Sequence, residues 1–219
     1  MKRRAKMMVL ILRGCGIVVF IPTVVVLMVT PIMALRLIAL YDSPEFAYNS
    51  MYSTVQYLIP VFSVWWPFLF LREYVEGEGR EVLCHYGTEV KTILSMVFLS
   101  WLLFAAHIGI TCAILNVFYE DIGILFLRLL TQSAFFSGLY VWMIFLEKSS
   151  GISLLTVVVY YFVTAFLVGD SSLLYISVFQ VSGQELDNGL MNYPFLIALA
   201  GFIFYVCSFV TWKKKNIFI

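Results

Sequence analysis

The sequence predicts an all-α polytopic membrane protein with six transmembrane helices and both termini in the cytoplasm. Of its 219 residues, 62% are hydrophobic and only 12% are charged, whereas about a quarter of the residues of a soluble domain are charged. Six apolar runs have roughly the 20 residues that a helix needs to cross the hydrocarbon core. The segments between them are too short to bury a core, so residues 1–219 are predicted to form one transmembrane domain.

The six predicted spans lie along the whole chain. They cover residues 14–40, 51–71, 92–119, 122–146, 151–168 and 194–212. The first two spans contain Pro22, Pro31, Pro60 and Pro67 and are expected to bend, because proline removes a backbone donor. The outer segment 169–193 contains an apolar piece, Leu173 to Val181, that is too short to cross and is expected to be re-entrant or interfacial.

The orientation follows from lysine and arginine, because cytoplasmic segments of membrane proteins carry an excess of these residues. Twelve of the fourteen fall in segments of one side: Lys2, Arg3, Arg4, Lys6, Arg13, Arg72, Arg80, Lys91, Lys148, Lys213, Lys214 and Lys215. The opposite segments carry only acidic charges: Asp42, Glu45, Glu120, Asp121, Asp170, Glu185 and Asp187. Both termini and residues 72–89 are therefore predicted to be cytoplasmic.

The one charge-dense stretch of the chain is residues 72–89, with five glutamates, two arginines and three glycines. On a helical wheel its two faces differ in polarity. Apolar side chains gather on one side (Leu71, Tyr74, Val75, Val82 and Tyr86) and charged ones on the other (Glu73, Glu76 and Arg80). This pattern predicts an amphipathic helix at the inner membrane surface, interrupted near Gly77 and Gly79; the alternative is a solvated loop.

The run from Leu71 to Leu83 also resembles the segment that follows the second membrane helix in ABC-2 type ABC transporter permeases. That segment has an acidic, arginine-bearing start, then E-x-G, then an acidic residue before two aliphatic ones. The matching residues here are Glu73, Glu76, Gly77, Glu81, Val82 and Leu83, with Arg72 and Arg80 beside them. The resemblance implies that this segment is a coupling helix, which docks into a cleft of an ABC ATP-binding subunit.

Further expectations follow from the same resemblance. It implies a type V exporter-like architecture, a bacterial plasma membrane, and a second permease copy in a homodimer or heterodimer. ATP and Mg²⁺ are expected on the partner subunit, with no cofactor on this chain and no nucleic acid as partner. Residues 1–12 match the position of the family's elbow helix, or are simply the basic flank of the first span.

The sequence contains none of the common catalytic motifs. No G-x-x-x-x-G-K-[ST] phosphate loop, H-E-x-x-H or G-x-S-x-G occurs, and four cysteines and two histidines are scattered singly. No catalytic, cofactor-binding or metal-binding residue is therefore predicted, and the chain is expected to be a non-catalytic subunit.

Polar residues within the predicted spans are candidates for a substrate path, because polar groups in a membrane are costly. Ser100, His107 and Thr111 share one face of the third span, where they line such a path or supply interhelical hydrogen bonds. Arg128 lies two turns below Asp121 and pairs with an acidic group of a neighbouring helix or with a substrate carboxylate.

These observations predict the permease subunit of an ATP-driven exporter for a hydrophobic or amphipathic cargo, such as a peptide, bacteriocin or drug. The alternative is a membrane-embedded immunity or sensor protein that binds a peptide or a partner without transport. An intramembrane enzyme is disfavoured because no nucleophile-base or metal constellation is recognisable.

Overall fold

The computed structural model describes residues 14–77, 90–119, 122–167, 178–179 and 192–215, and among these every regular element is a helix. The predicted all-α class is thus confirmed for this part of the chain. We number the helices α1 (Gly16–Leu40), α2 (Pro44–Val75), α3 (Val90–Leu115), α4 (Ile122–Glu147), α5 (Ser150–Leu167) and α6 (Asn192–Lys215).

Four of these helices are long and apolar enough to cross a membrane. They are α1, α2, α4 and the part Ile93–Leu115 of α3, with 25, 32, 26 and 23 residues. The apolar parts of the other two, Ser150–Phe166 and Phe195–Thr211, are shorter. Four helices of this length and composition indicate a membrane protein.

Several helix bounds differ from the predicted spans, and the largest difference is at the start of the second helix. The second helix begins at Pro44 instead of residue 51, because Ser43 has extended geometry at the N-cap and Pro44 and Glu45 suit a first turn. The third helix ends at Leu115, four residues early, and a turn then places the Tyr119 N–H 2.9 Å from the Leu115 carbonyl oxygen.

The fourth helix lies at the centre of the packed helices. In its most apolar stretch 67% of the residues are buried, against 28% in α1 and 33% in α3, whose remaining apolar faces are exposed. Two hydrophobic clusters meet along α4. One includes Leu125 and Leu129 with residues of α1, α2 and α3, and the other includes Phe136 and Tyr140 with residues of α2, α3 and α5.

The contact between α4 and α6 depends on two glycines. A Cβ atom on Gly138 would lie 2.6 Å from the Gly201 carbonyl oxygen, and one on Gly201 would lie 3.0 Å from the Phe135 nitrogen. Small residues allow such close backbone approach between membrane helices. Beside this contact the hydroxyls of Ser137 and Tyr205 are 2.8 Å apart.

The prolines of the first two helices coincide with changes of helix type. Helix α1 contains a 3-10 segment before Pro22 (Gly16–Phe20) and a π segment before Pro31 (Val25–Val29). Helix α2 contains a 3-10 segment that starts at proline (Pro60–Val64). In α1, carbonyl groups near these prolines accept hydrogen bonds from side chains of other helices.

Candidate functional site

The end of α2 shows the amphipathic pattern expected at the start of the charged segment. Leu71, Tyr74 and Val75 are buried in the cluster around the second half of α4, whereas Arg72 and Glu73 are exposed. For residues 71–75, the burial follows the predicted separation into an apolar and a polar face, whereas the predicted amphipathic helix beyond Gly77 lies outside the described residues. The remaining predicted docking residues (Arg80, Glu81, Val82 and Leu83) lie outside the described part of the chain.

Glu76 connects the end of α2 to the start of α5. Its Oε1 accepts hydrogen bonds from the Ser150 N–H (2.7 Å) and the Ser149 hydroxyl (3.1 Å), and its Oε2 accepts one from the Ser150 hydroxyl (2.6 Å). The first N–H groups of a helix have no partner within the helix, and a carboxylate there also interacts favourably with the helix dipole. Glu76 thus caps α5 from another element.

These contacts also change the acidity of Glu76. The hydrogen bond from the Ser150 hydroxyl lowers the pKa of the carboxyl group most, against the opposing effect of burial, and the other two hydrogen bonds and Arg72 lower it further. The carboxylate therefore remains ionised at neutral pH. We refer to residues 71–77, Ser149 and Ser150 as the α2–α5 junction.

Gly77 ends the junction at a point where a larger residue would not fit. Helix α2 ends at Val75, and Glu76 follows with φ −122° and ψ −10°. A Cβ atom on Gly77 would collide with the carbonyl oxygen of Glu73. The helix therefore ends next to the break that was predicted near Gly77, because a glycine allows the chain to turn away there.

Thr111, one of the candidate path residues, compensates for a proline in α1. In the π segment a backbone N–H bonds to the carbonyl five residues earlier, as the Thr30 N–H does with the Val25 carbonyl. By the same pattern the Val26 carbonyl would accept a hydrogen bond from residue 31, but Pro31 has no N–H. The Thr111 hydroxyl fills this place and donates to the Val26 carbonyl at 2.8 Å.

His107 contacts both α3 and α1, whereas Ser100 bonds within α3. His107 Nδ1 lies 2.8 Å from the Leu103 carbonyl oxygen and so carries a proton, and Nε2 lies 3.2 Å from the Thr23 hydroxyl. The buried Ser100 hydroxyl donates to the Val97 carbonyl of its own helix at 2.7 Å. The contacts of His107 and Thr111 correspond to the interhelical hydrogen bonding that the sequence left open as the alternative to a path.

Two further donors to α1 were not anticipated from the sequence. Trp65 and Trp66 donate their indole N–H groups to the carbonyls of Val18 and Val19, each at 2.9 Å. The Val18 carbonyl also accepts a 3-10 hydrogen bond from the Ile21 N–H, because Pro22, four residues after Val18, has no N–H to form the α-helical bond. The proline in the sequence indicates where the helix type changes, but the sequence does not show which side chains donate to the carbonyls there.

The second group of polar side chains is buried between α2 and α4, and we call it the α2–α4 polar cluster (Tyr52, Gln56, Arg128 and Gln132). The Gln132 amide nitrogen donates to the Gln56 side-chain oxygen and to the Val178 carbonyl, each at 2.9 Å. The guanidinium carbon of Arg128 lies 5.4 Å from the centre of the Tyr52 ring. Arg128 is only 8% exposed.

Three polar atoms of this cluster lack a hydrogen-bond partner among the described residues. They are the Tyr52 hydroxyl on α2, and Nε of Arg128 and Oε1 of Gln132, which are one helical turn apart on α4. Of the four cluster residues, only Arg128 is a candidate site residue from the sequence. The signal for the other members is their spacing, since Gln56 follows Tyr52 and Gln132 follows Arg128 by four residues, which puts each pair on one helix face.

Part of segment 169–193 covers this cluster. Of the apolar piece predicted to be re-entrant or interfacial, the structure describes Val178 and Phe179, which are 3% and 1% exposed. The Phe179 ring packs against Tyr57 of α2, Phe136 of α4 and Tyr161 of α5, with ring centres 5.0, 6.1 and 5.4 Å apart. These two residues are thus buried between helices.

The fold and these contacts define a helical protein with the character of a membrane protein. Within the ranges that the structure describes, no three His, Cys, Asp or Glu side chains are grouped closely enough to hold a metal ion. Comparisons with family models, with curated proteins and with solved structures find nothing that matches this chain significantly. The α2–α5 junction and the α2–α4 polar cluster are the two candidate functional sites.

Proposed function

We propose that this chain is the permease subunit of an ABC-2 type exporter, which moves a hydrophobic or amphipathic cargo with ATP hydrolysed by a separate subunit. In this proposal all six helices span the plasma membrane of a bacterium, and both termini are cytoplasmic. Two copies of the chain, or one copy and a related permease, enclose the path of the cargo. ATP and Mg²⁺ are bound by the partner.

The observation that carries the proposal is the α2–α5 junction. The exposed Arg72 and Glu73 lie at the start of the stretch that resembles the coupling helix of ABC-2 permeases. The same turn buries Tyr74 and Val75 against the core. A partner that pushes on the charged side of this turn would therefore act directly on packed helices.

The junction also provides two routes for such a movement. One leads to α4, because Tyr74 and Val75 belong to the same buried cluster as Phe145. The other leads to α5 through the three hydrogen bonds that Glu76 accepts from Ser149 and Ser150. In this mechanism Glu73 and Glu81 contact basic residues of the ATP-binding subunit, while Glu76 transmits the movement within this chain.

Affinity purification in mild detergent, followed by mass spectrometry, tests this proposal. The chain should retain a stoichiometric ATP-binding subunit, and Glu73→Lys or Glu81→Lys should lower its amount about tenfold or more, since repulsion replaces attraction at the interface. Glu45→Lys makes the same exchange in the first turn of α2 and is the matched control. Glu76→Gln should still retain the partner, because its carboxylate contacts α5.

Two outcomes would contradict the proposal. Purification without an ATP-binding subunit would instead support the immunity or sensor protein. Equal loss of the partner in Glu45→Lys and Glu73→Lys would show that charge in general, and not the α2–α5 junction, governs the association.

A further inference from the structure

We infer that the α2–α4 polar cluster binds the free C-terminal end of an apolar peptide, whose carboxylate pairs with Arg128 and whose last amide N–H bonds to Gln132. This inference specifies the cargo or ligand and rests in part on the proposed function. Its basis is two of the buried polar atoms without partners, Nε of Arg128 and Oε1 of Gln132.

Arg128 requires an anion. A guanidinium group stays protonated in proteins, and a charge that is more than nine-tenths buried is costly unless an opposite charge balances it. Within the described ranges no carboxylate forms an ion pair with Arg128, and its Nε–H is unused. The Tyr52 ring at 5.4 Å offers a cation–π contact, which is weaker than a pairing with a carboxylate.

Gln132, one helical turn from Arg128, requires a hydrogen-bond donor. Its amide nitrogen donates both of its hydrogens, to Gln56 and to the Val178 carbonyl, whereas its buried Oε1 accepts nothing among the described residues. A ligand that suits both residues presents an anionic oxygen next to an N–H group. The C-terminus of a peptide combines a carboxylate with the amide N–H of the same residue.

The depth of the cluster favours a peptide over a lipid head group. Arg128 and Gln132 are six and ten residues from the start of α4, which corresponds to about 9 and 15 Å along a helix. Phosphates of bilayer lipids lie outside the hydrocarbon region, whereas the end of an apolar peptide can enter between helices. The buried aromatic residues Tyr52 and Phe179 make the surroundings of these groups apolar, which suits apolar side chains next to that end.

Peptide binding to the purified full chain in phosphatidylcholine nanodiscs tests the inference. The probes are a fluorescein-labelled decapeptide of leucine, alanine and serine with a free C-terminal carboxylate, and the same peptide with a C-terminal amide. The free acid should bind about tenfold or more tightly, as expected for a charge-assisted pair of hydrogen bonds. Arg128→Gln should reduce the affinity for the acid to that for the amide.

Arg36→Gln is the matched control, because it removes an exposed arginine from α1 and should leave the preference for the acid unchanged. Arg128→Lys keeps the charge and should retain part of the preference, which guards against a loss of folding in Arg128→Gln. Thermal unfolding of each variant shows whether it is folded in the binding assay.

Three outcomes would overturn the inference. One is equal binding of acid and amide by the wild type, and another is an unchanged preference in folded Arg128→Gln. The third is competition by phosphatidylethanolamine with the free-acid peptide, together with native mass spectra in which this lipid stays bound to the wild type but not to Arg128→Gln. That result would assign the site to a lipid head group.

The assay contains no ATP-binding subunit, so the two proposals fail separately. A preference for the acid without any co-purified ATPase would contradict only the proposed function. A co-purified ATPase without the preference would contradict only the assignment of the cluster.

Discussion

The carboxylate of Glu76 holds two helices together from an exposed position. Its three donors come from Ser149 and Ser150, at the start of α5. These bonds favour the ionised form, and the pKa of Glu76 is lowered below its ordinary value of 4.5. A lowered pKa in the folded state links folding to pH.

We expect Glu76→Gln to reduce the stability of the protein and to make this stability less sensitive to low pH. A carboxyl group with a lowered pKa contributes its full stabilisation above its unfolded value of 4.5, and this contribution is lost as the pH falls through the lowered folded value. Between about pH 6 and about pH 3.5, the melting temperature should therefore fall by more in the wild type than in Glu76→Gln. Thermal unfolding in detergent measures both.

The control for this experiment is Glu147→Gln, which neutralises an exposed glutamate at the end of α4. It should keep the acid dependence of the wild type. Identical pH profiles for the wild type and Glu76→Gln would show that the bonds to Ser150 do not contribute to stability.

The Thr111 hydroxyl satisfies a carbonyl that a proline leaves without a donor. Thr111→Val keeps the shape but removes the hydrogen bond to Val26, and should cost about 1 kcal/mol. Ser100→Ala is the matched control on the same helix, because its hydroxyl bonds only to the Val97 carbonyl within α3. The free energy of unfolding in detergent should fall less in this control.

A double-mutant cycle tests the role of the proline directly. Pro31→Ala restores a backbone N–H near the Val26 carbonyl, so Thr111→Val should cost less in that background than in the wild type. Additive effects of the two substitutions would mean that Thr111 does not replace a donor lost at Pro31.

At the level of helices, the glycines of α4 should differ sharply in their tolerance of a methyl group. Gly138→Ala places a Cβ atom 2.6 Å from the Gly201 carbonyl oxygen and should cost about 1–3 kcal/mol by separating α4 from α6. Gly123→Ala meets no atom within 4 Å and should be neutral or stabilising by up to about 1 kcal/mol. Thermal unfolding of the two variants in detergent compares them. Equal effects would contradict close packing at Gly138.

The starts and ends of the helices were less predictable than their existence. Apolar runs locate a helix, but α2 begins before its apolar run, at Pro44, where the Ser-Pro-Glu sequence provides the start signal. The helix type within α1 and α2 was predictable only in outline. Proline marks where regular hydrogen bonding fails, whereas the choice of π or 3-10 geometry depends on the neighbours that supply new donors.

For the whole molecule, the charge distribution predicts that the α1–α2 connection is outside and the α4–α5 connection is inside. In a variant without the four native cysteines, Asp42→Cys should react with a membrane-impermeant maleimide in intact cells. Glu147→Cys should react only after the membrane is permeabilised. Both positions are exposed in the structure. Labelling of Glu147→Cys in intact cells would contradict the predicted orientation.

The sequence by itself determined the helical class, the apolar character, the approximate position of each helix and the two-faced last turn of α2. These properties depend on composition and on the spacing of side chains along one helix, which are local. Only the tertiary structure decided which side chain meets which partner. Glu76 and Ser150 are 74 positions apart, Gln56 and Gln132 are 76 apart, and Val26 and Thr111 are 85 apart. Such pairs depend on the order and rotation of packed helices, which no local pattern encodes.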